Sequence, residues 1–384
     1  MTGAIERISL HHLQIPFKEP FRIAGGEVAI KDAILIAVET ADGVVGVGEC
    51  APMAAGFGYW SDSPERCWAD LTERIAPSLL GCSFADSDGI AAIARTWTGC
   101  SRFAVAGGET ACWDLLGQTA RASIAELLGA SDARFETGVE SGLSVGLYPT
   151  IVDLLRTIER HLGEGYKRLK LQIRPGWDVD LVHAVRQHFG EELPLMVDCS
   201  GAYTRDDLDV FRKLDEYELL MFEQPMAPDD LDGMAALQEA VLTPVCLDES
   251  AGDLDRAEEA IRRGACRIVN LKIQHVGGFG PAKALHDLCR ERGVACWVGS
   301  MPELGIGQAQ GIHLAALDNC KYPTDVGPST RWFVDDYIVP LLQLVAPGVL
   351  AVPARPGLGF QVDPAKVKRY QVRHAEVVAP SYPR

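Results

Sequence analysis

No stretch of about 18 residues in this 384-residue chain is both apolar and free of charge, so no membrane-spanning helix is expected. Basic residues are scarce: 36 Lys and Arg stand against 53 Asp and Glu, a net charge of −17. Without a basic face to neutralise phosphates, nucleic acid is excluded as a partner, and the acidic surplus reads as solubility. The eleven cysteines are odd in number and none falls in a CxxC pair; Cys199, Cys246 and Cys296 sit in apolar runs. That excludes a disulfide framework and suits small reduced core residues in a cytoplasmic protein. The opening MTGAIERISLHHLQIPF lacks the basic stretch and apolar core of a signal peptide, which also points to the cytoplasm. No GxGxxG follows a first strand, so an open dinucleotide-binding sheet is not expected.

What is present is an ordinary globular composition, 47% hydrophobic and 23% charged. Residues 5–17 alternate in hydrophobicity, and ILIAVE at 34–39, a turn at Asp42-Gly43 and VVGVGE predict an antiparallel hairpin. Helical spacing follows at about 64–80, 86–97 and 103–122. From about 138 the pattern becomes regular βα alternation. Strands are expected at 139–146, 167–173, 194–199, 219–223, 244–248, 266–271 and 294–299, with a weak eighth near 321–325. Amphipathic helices fill the gaps, for example 178–189 behind Asp178 as N-cap. Eight units in one run argue for a barrel. The division reads as an α+β domain at 1–130, completed by about 345–384, and a barrel at 131–344.

Five charges punctuate this repeat. Asp198 (LMVDCS), Glu223 (LLMFEQP) and Asp248 (TPVCLDES) each end a short apolar run, at two successive intervals of 25 residues. Lys170 precedes them by 28 residues and Lys272 follows by 24. An interval of roughly 25 residues is one βα unit, so all five side chains are expected at the carboxyl ends of successive strands, in one barrel mouth. Three carboxylates supply only oxygen, which suits Mg²⁺, with Mn²⁺ as a substitute, and does not select zinc. Rim ion pairs with lysine are the competing reading for any one acid; three uncompensated acids together argue for a cation. Such a site favours proton removal next to the carboxylate of a small substrate, through an enediolate. Lys272 is the expected base, its pKa lowered by neighbouring positive charge, and Lys170 is either its counterpart or a fixed charge.

At these residues the chain resembles the enolase superfamily, in its muconate-lactonizing subgroup, and within that the o-succinylbenzoate synthase / N-acylamino acid racemase family. The shared motifs are PFR (20–22), GVGEC (46–50), SVG (144–146), PGWD (175–178), FEQP (222–225), LDES (247–250), NLK (270–272) with VGG (276–278), and GSMPELGIG (299–307). The resemblance implies an α/β fold, a (β/α)7β TIM-type barrel with an N-terminal α+β capping domain. It also implies Mg²⁺ on Asp198, Glu223 and Asp248, Lys272 as the strand-six lysine, and loops near 20–30 and 53–60 closing over substrate. Barrels of this kind often assemble, so a homo-oligomer is expected.

The chain departs from its relatives at the strand-two Lys-x-Lys motif, where Lys170 keeps the first place and Gln172 takes the second. Glutamine neither accepts nor returns a proton near neutral pH. A single base, Lys272, then suits a syn elimination of the o-succinylbenzoate synthase type or a cycloisomerisation, with Gln172 as a substrate contact. One alternative is an N-acylamino acid racemase or dipeptide epimerase with Lys170 or His275 as second base. Another is a metal-binding barrel that has lost catalysis at Gln172. Ser144, Ser200, Ser300, Met301 and Pro302 are further expected substrate contacts, and Tyr59 and Trp60 are candidate cover from a capping loop. Glu49 and Glu303 have no assigned role.

Overall fold

The computed structural model describes residues 1–23, 26–54 and 62–379. Tyr59 and Trp60 lie outside the described residues.

Strands β1 (Ile5–Ile23), β2 (Gly26–Thr40) and β3 (Val45–Cys50) form an antiparallel sheet, with β1 between β2 and a strand from the far end of the chain, β11 (Gln371–Val378). Alternation sends Ile8 and Leu10 of β1 into the core, and past His12 the parity switches to bury Leu13 and Ile15. The predicted turn joins β2 to β3, and Gly43 supplies its positive φ of 80°. Helix α1 (Arg102–Ala120) lies against β3 so closely that a Cβ at Gly46 or Gly48 would strike its backbone carbonyls. The GVG of the GVGEC motif is therefore a packing requirement.

Seven parallel strands follow in sequence order: β4 (Leu143–Val145), β5 (Leu169–Gln172), β6 (Leu195–Asp198), β7 (Phe222–Glu223), β8 (Val245–Leu247), β9 (Ile268–Leu271) and β10 (Ala295–Val298). All but the first residue of β10 and Ser144 of β4 are buried, as parallel strands covered by helices must be. The eighth position is not a regular strand. Instead Lys321 donates to Cys296 O and Asp325 to Val298 O on one side, while Thr324 donates to Glu140 O and accepts from Gly142 N on the other. These bonds close the barrel where the weak eighth strand was expected. Two other strands differ from expectation. The 139–146 run splits, because Val139–Glu140 pairs antiparallel with Val349–Leu350 before Leu143 enters the barrel. The run at 219–223 pairs as a strand only at Phe222–Glu223. Met196, Met221, Cys246, Ile268 and Trp297 fill the barrel interior as a separate apolar cluster.

Helix α2 (Phe279–Glu291) begins against Glu109 of α1, which accepts from Phe279 N and Gly280 N, both at 2.8 Å, and from Trp113 Nε1 at 2.9 Å. Burial outweighs these donors and pushes the Glu109 carboxyl up to about 7. Folded protein therefore retains a proton that the unfolded chain sheds above its ordinary value of 4.5. The contribution to stability falls as pH rises from about 4.5 to about 7, by at most roughly 1.4 kcal/mol per pH unit. Glu109→Gln should flatten the urea-midpoint profile across that window; an identical slope in both proteins would refute the assignment.

Candidate active site at the barrel mouth

Strand register places the acids side by side. Gln172 pairs with Asp198 and Asp198 with Glu223 across β5, β6 and β7, while Asp248 and Lys272 each follow the last residue of their own strand. Lys170 Nζ stands 3.3 Å from Asp198 Oδ2, 3.1 Å from Glu223 Oε2 and 2.8 Å from Asp325 Oδ2. Lys272 Nζ is 2.5 Å from Asp248 Oδ2. Gln172 donates to Asp198 Oδ2 at 2.6 Å, and Asn270 to Glu223 Oε1 at 2.7 Å. Ser200 donates to Asp198 Oδ1 from both backbone and hydroxyl, which requires its unusual φ of 45°.

Electrostatics here is an imbalance. Asp198, Glu223, Asp248, Glu249 and Asp325 gather around Lys170, Lys272 and Arg168, five acids against three cations. Burial, reinforced by Asp198, pushes Glu223 up to about 8, and burial with Asp248 pushes Glu249 well above the carboxylate range. Burial also acts on Asp248, yet Lys272 and His275 hold it below that range. The lysines reverse the sequence-based expectation. Burial lowers both, but Asp325, Glu223 and Asp198 raise Lys170 well above its ordinary value, and Asp248 raises Lys272. Their nearest charged neighbours are carboxylates, not cations.

A cavity of about 50 Å³ opens over this cluster. It is lined by Lys170, Gln172, Asp198 and Lys272 and by five further predicted contacts, Ser144, Ser200, Ser300, Met301 and Pro302. Phe21 and Met53 reach in from the N-terminal sheet, and Trp332, set edge-on to Phe21 at 4.9 Å, completes the wall. Glu223 and Asp248 lie beneath the lining. His275 does not line the cavity: it is buried, with Nδ1 3.4 Å from Asp248 Oδ1. Glu49 accepts from Leu304 N, Gly307 N and Tyr337 Oη, anchoring helix α3 (Gly305–Ala315) to β3. Glu303 accepts from Ser300 Oγ at 2.5 Å and so fixes one wall residue.

Sequence reasoning missed Asp325, Asn270 and Trp332. Asn270 was legible, two residues before Lys272 on the same strand face. Asp325 was hidden because its strand is irregular. It pairs with Arg168 at 2.8 Å as well as with Lys170.

Among the described residues, no three acid, histidine or cysteine side chains stand ready-arranged around an ion. The lysine and amide donors occupy the carboxylate oxygens instead. The donor set of Asp198, Glu223 and Asp248 nevertheless fits a hard divalent cation, because it offers oxygen only.

Residues 6–129 match the mandelate racemase / muconate lactonizing enzyme N-terminal domain, and residues 153–366 the enolase C-terminal domain-like family. The chain belongs to the mandelate racemase / muconate lactonizing enzyme family of the enolase superfamily. It is therefore an enzyme of a lyase and isomerase family with the expected α/β barrel and cap. It is 39% identical over 374 residues to the o-succinylbenzoate synthase of Geobacillus stearothermophilus, covering 96% of each chain. It is 36% identical to an N-succinylamino acid racemase of Amycolatopsis, covering 93% of this chain and 95% of that one. An enolase-superfamily member from Listeria innocua superposes with a TM-score of 0.91 at 31% identity, over 98% of this chain and 99% of that one.

The loop bearing Asp248 hangs on one side chain. Gln224, buried and with φ of 39°, accepts from Asp248 N and Ser250 N and donates to Ser250 Oγ and Met226 O. Gln224→Ala would strand two buried N–H groups, so unfolding free energy should drop by roughly 2–4 kcal/mol in urea titration. A loss below about 0.5 kcal/mol would show that the loop holds itself.

Proposed function

We propose that this protein is a Mg²⁺-dependent lyase or isomerase that removes the proton next to the carboxylate of a small substrate. The preferred reaction is dehydration or cycloisomerisation of the o-succinylbenzoate synthase type, with Lys272 as principal base. The observation that carries it is the cavity wall, where an amine at Lys272 and an amide at Gln172 occupy the two strand positions from which protons could be exchanged. In the same reading the first domain is residues 1–130 completed by about 345–384, and the barrel is 131–344.

Asp198, Glu223 and Asp248 would hold the cation, with Mn²⁺ as a substitute. When bound, the ion supplies positive charge that favours an enediolate over the starting carboxylate. Support for magnesium comes from a dipeptide epimerase of Enterococcus faecalis, 26% identical with a TM-score of 0.85, whose structure is a complex with Mg and a dipeptide. Neutralising Asp248 removes the charge that raises Lys272 and returns its amine toward its ordinary range. Lys272 then takes the proton from carbon and delivers it to a leaving group on the same face. Lys170, tied to three carboxylates, acts as a fixed charge. Gln172 and Ser200 orient Asp198 and present polar groups to substrate, while Ser144, Ser300, Met301 and Pro302 shape the remaining wall. No helix among the described residues is long and apolar enough to cross a membrane. All eleven cysteines are free thiols, which suits the reducing cytoplasm.

Racemase or epimerase chemistry is the second reading, favoured by the 36% identity to an N-succinylamino acid racemase. It requires a second base. His275 is outside the cavity lining, which leaves Lys170.

Lys272→Ala should lower turnover of a succinylbenzoate precursor by roughly 10²–10⁴-fold while Mg²⁺ affinity, read by calorimetry, stays near that of the parent. Retained turnover removes Lys272 from the mechanism. Incubating each enantiomer of an N-succinylamino acid in D₂O decides between the readings. One-base chemistry exchanges the α-proton of one enantiomer only; deuterium appearing in both establishes the racemase.

A further inference from the structure

Two of the three carboxylates around Lys170 belong to the proposed cation site, and the third does not. The ammonium has three N–H donors and meets Asp325 at 2.8 Å, Glu223 at 3.1 Å and Asp198 at 3.3 Å. Glu223 and Asp198 also accept from amides, those of Asn270 and Gln172. Asp325, the nearest, is anchored from the opposite side. Its Oδ1 lies 2.8 Å from Arg168 Nη1, and Arg168, only 1% exposed, donates through Nη2 to Pro323 O at 2.9 Å. Its backbone N–H donates to Val298 O at 3.0 Å, and its carbonyl accepts from Arg331 Nη2 at 2.5 Å. Gly142 packs so closely that a Cβ there would strike the Arg168 guanidinium. The Trp297 ring faces both cations, 5.2 Å from Arg168 Cζ and 5.1 Å from Lys170 Nζ. Arg168, Asp325 and Lys170 thus form a row of alternating charge, its outer end tightly packed and its inner two members lining the cavity.

We infer that Asp325 is a positioning residue: held by Arg168, it keeps the Lys170 ammonium in the barrel mouth, facing the substrate carboxylate, once a divalent ion takes up Asp198 and Glu223. This rests on the cation site proposed above. An ion on those two acids would draw their charge from Lys170 and repel the ammonium, because charges a few ångströms apart in a buried site are weakly screened. Asp325 is the counter-charge that stays. Lysine has rotamers that would carry Nζ away from the ion, and a charge-assisted bond to a fixed acid opposes that movement. Arg168 supplies the rigidity, since its planar fork stays charged and is already packed against Pro323 and Gly142. The competing reading is a purely structural Arg168–Asp325 pair, with Lys170 placed by Asp198 and Glu223 alone.

The probe is o-succinylbenzoate, titrated calorimetrically into the full chain at saturating Mg²⁺. Asp325→Asn should weaken its binding about tenfold, and Lys170→Met by a similar factor, each losing one charge-assisted contact. The double variant should be no weaker than Lys170→Met alone, because Asp325 acts only through that amine. Losses that multiply in the double variant overturn the inference, and so does Asp325→Asn binding like the parent. A crystal structure of the parent with Mn²⁺ bound reads the position directly and requires no variant to fold. Lys170 Nζ should remain within about 3.2 Å of Asp325, the hydrogen-bond range. An ion on the acid triplet with Lys170 turned away from Asp325 overturns this inference alone, whereas a triplet that takes no ion overturns the cation site and the inference with it. A parent that does not bind o-succinylbenzoate overturns the preferred reaction, and the Mn²⁺ structure then decides the role of Asp325.

Discussion

Like charges forced together by strand register are the constraint on which the rest of this molecule depends. A parallel ladder aligns equivalent positions of neighbouring strands, so carboxylates at the ends of successive strands must lie within a few ångströms of one another. Burial of these side chains leaves little solvent to screen them from one another. The surrounding residues read as responses to that problem: Lys170 among three acids, Arg168 against Asp325, Asn270 and Gln172 donating to single carboxylate oxygens. Even the left-handed backbone at Ser200 and Gln224 exists to aim donors at Asp198 and to hold the Asp248 loop. Acids still outnumber cations in the cluster, and burial with like-charged neighbours raises Glu223 and Glu249.

The N-terminal sheet is joined to this mouth by buried polar contacts. Lys31, fully enclosed, donates to Ala51 O, Pro52 O and Met301 O, tying the cap segment that carries Met53 to the strand exit that carries Pro302. Glu49 does the same for helix α3 through two backbone N–H groups. The wall of the cavity is thus composite, and its shape depends on how the two parts are clamped. Burial lowers the Lys31 ammonium below its ordinary value, a cost accepted where three carbonyls and the Met53 sulfur surround it.

Much of this was legible in one dimension because a βα unit has a nearly constant length. Equal intervals between Asp198, Glu223 and Asp248 translate directly into adjacent strands, and alternation puts Lys170 and Gln172 on one face. Other features were not legible, for reasons particular to each. Asp325 belongs to a strand position with no periodic pattern. The 139–146 run looks continuous because hydrophobicity says nothing about which partner a strand will choose. The Lys170 and Lys272 ammonium groups are held above their ordinary range rather than below it, because a charge's nearest neighbours across a barrel are set by packing.

Sequence alone determined the order of elements, the oxygen-only character of the acid triplet and the glutamine two residues after Lys170, all properties carried by residue type and spacing. Tertiary structure decided which amine neutralises which carboxylate and that His275 sits behind Asp248 rather than in the cavity. The physical reason is one of range. Backbone geometry repeats over a few residues and can be counted along the chain, whereas charge and burial act through space, between groups the chain brings together only by folding.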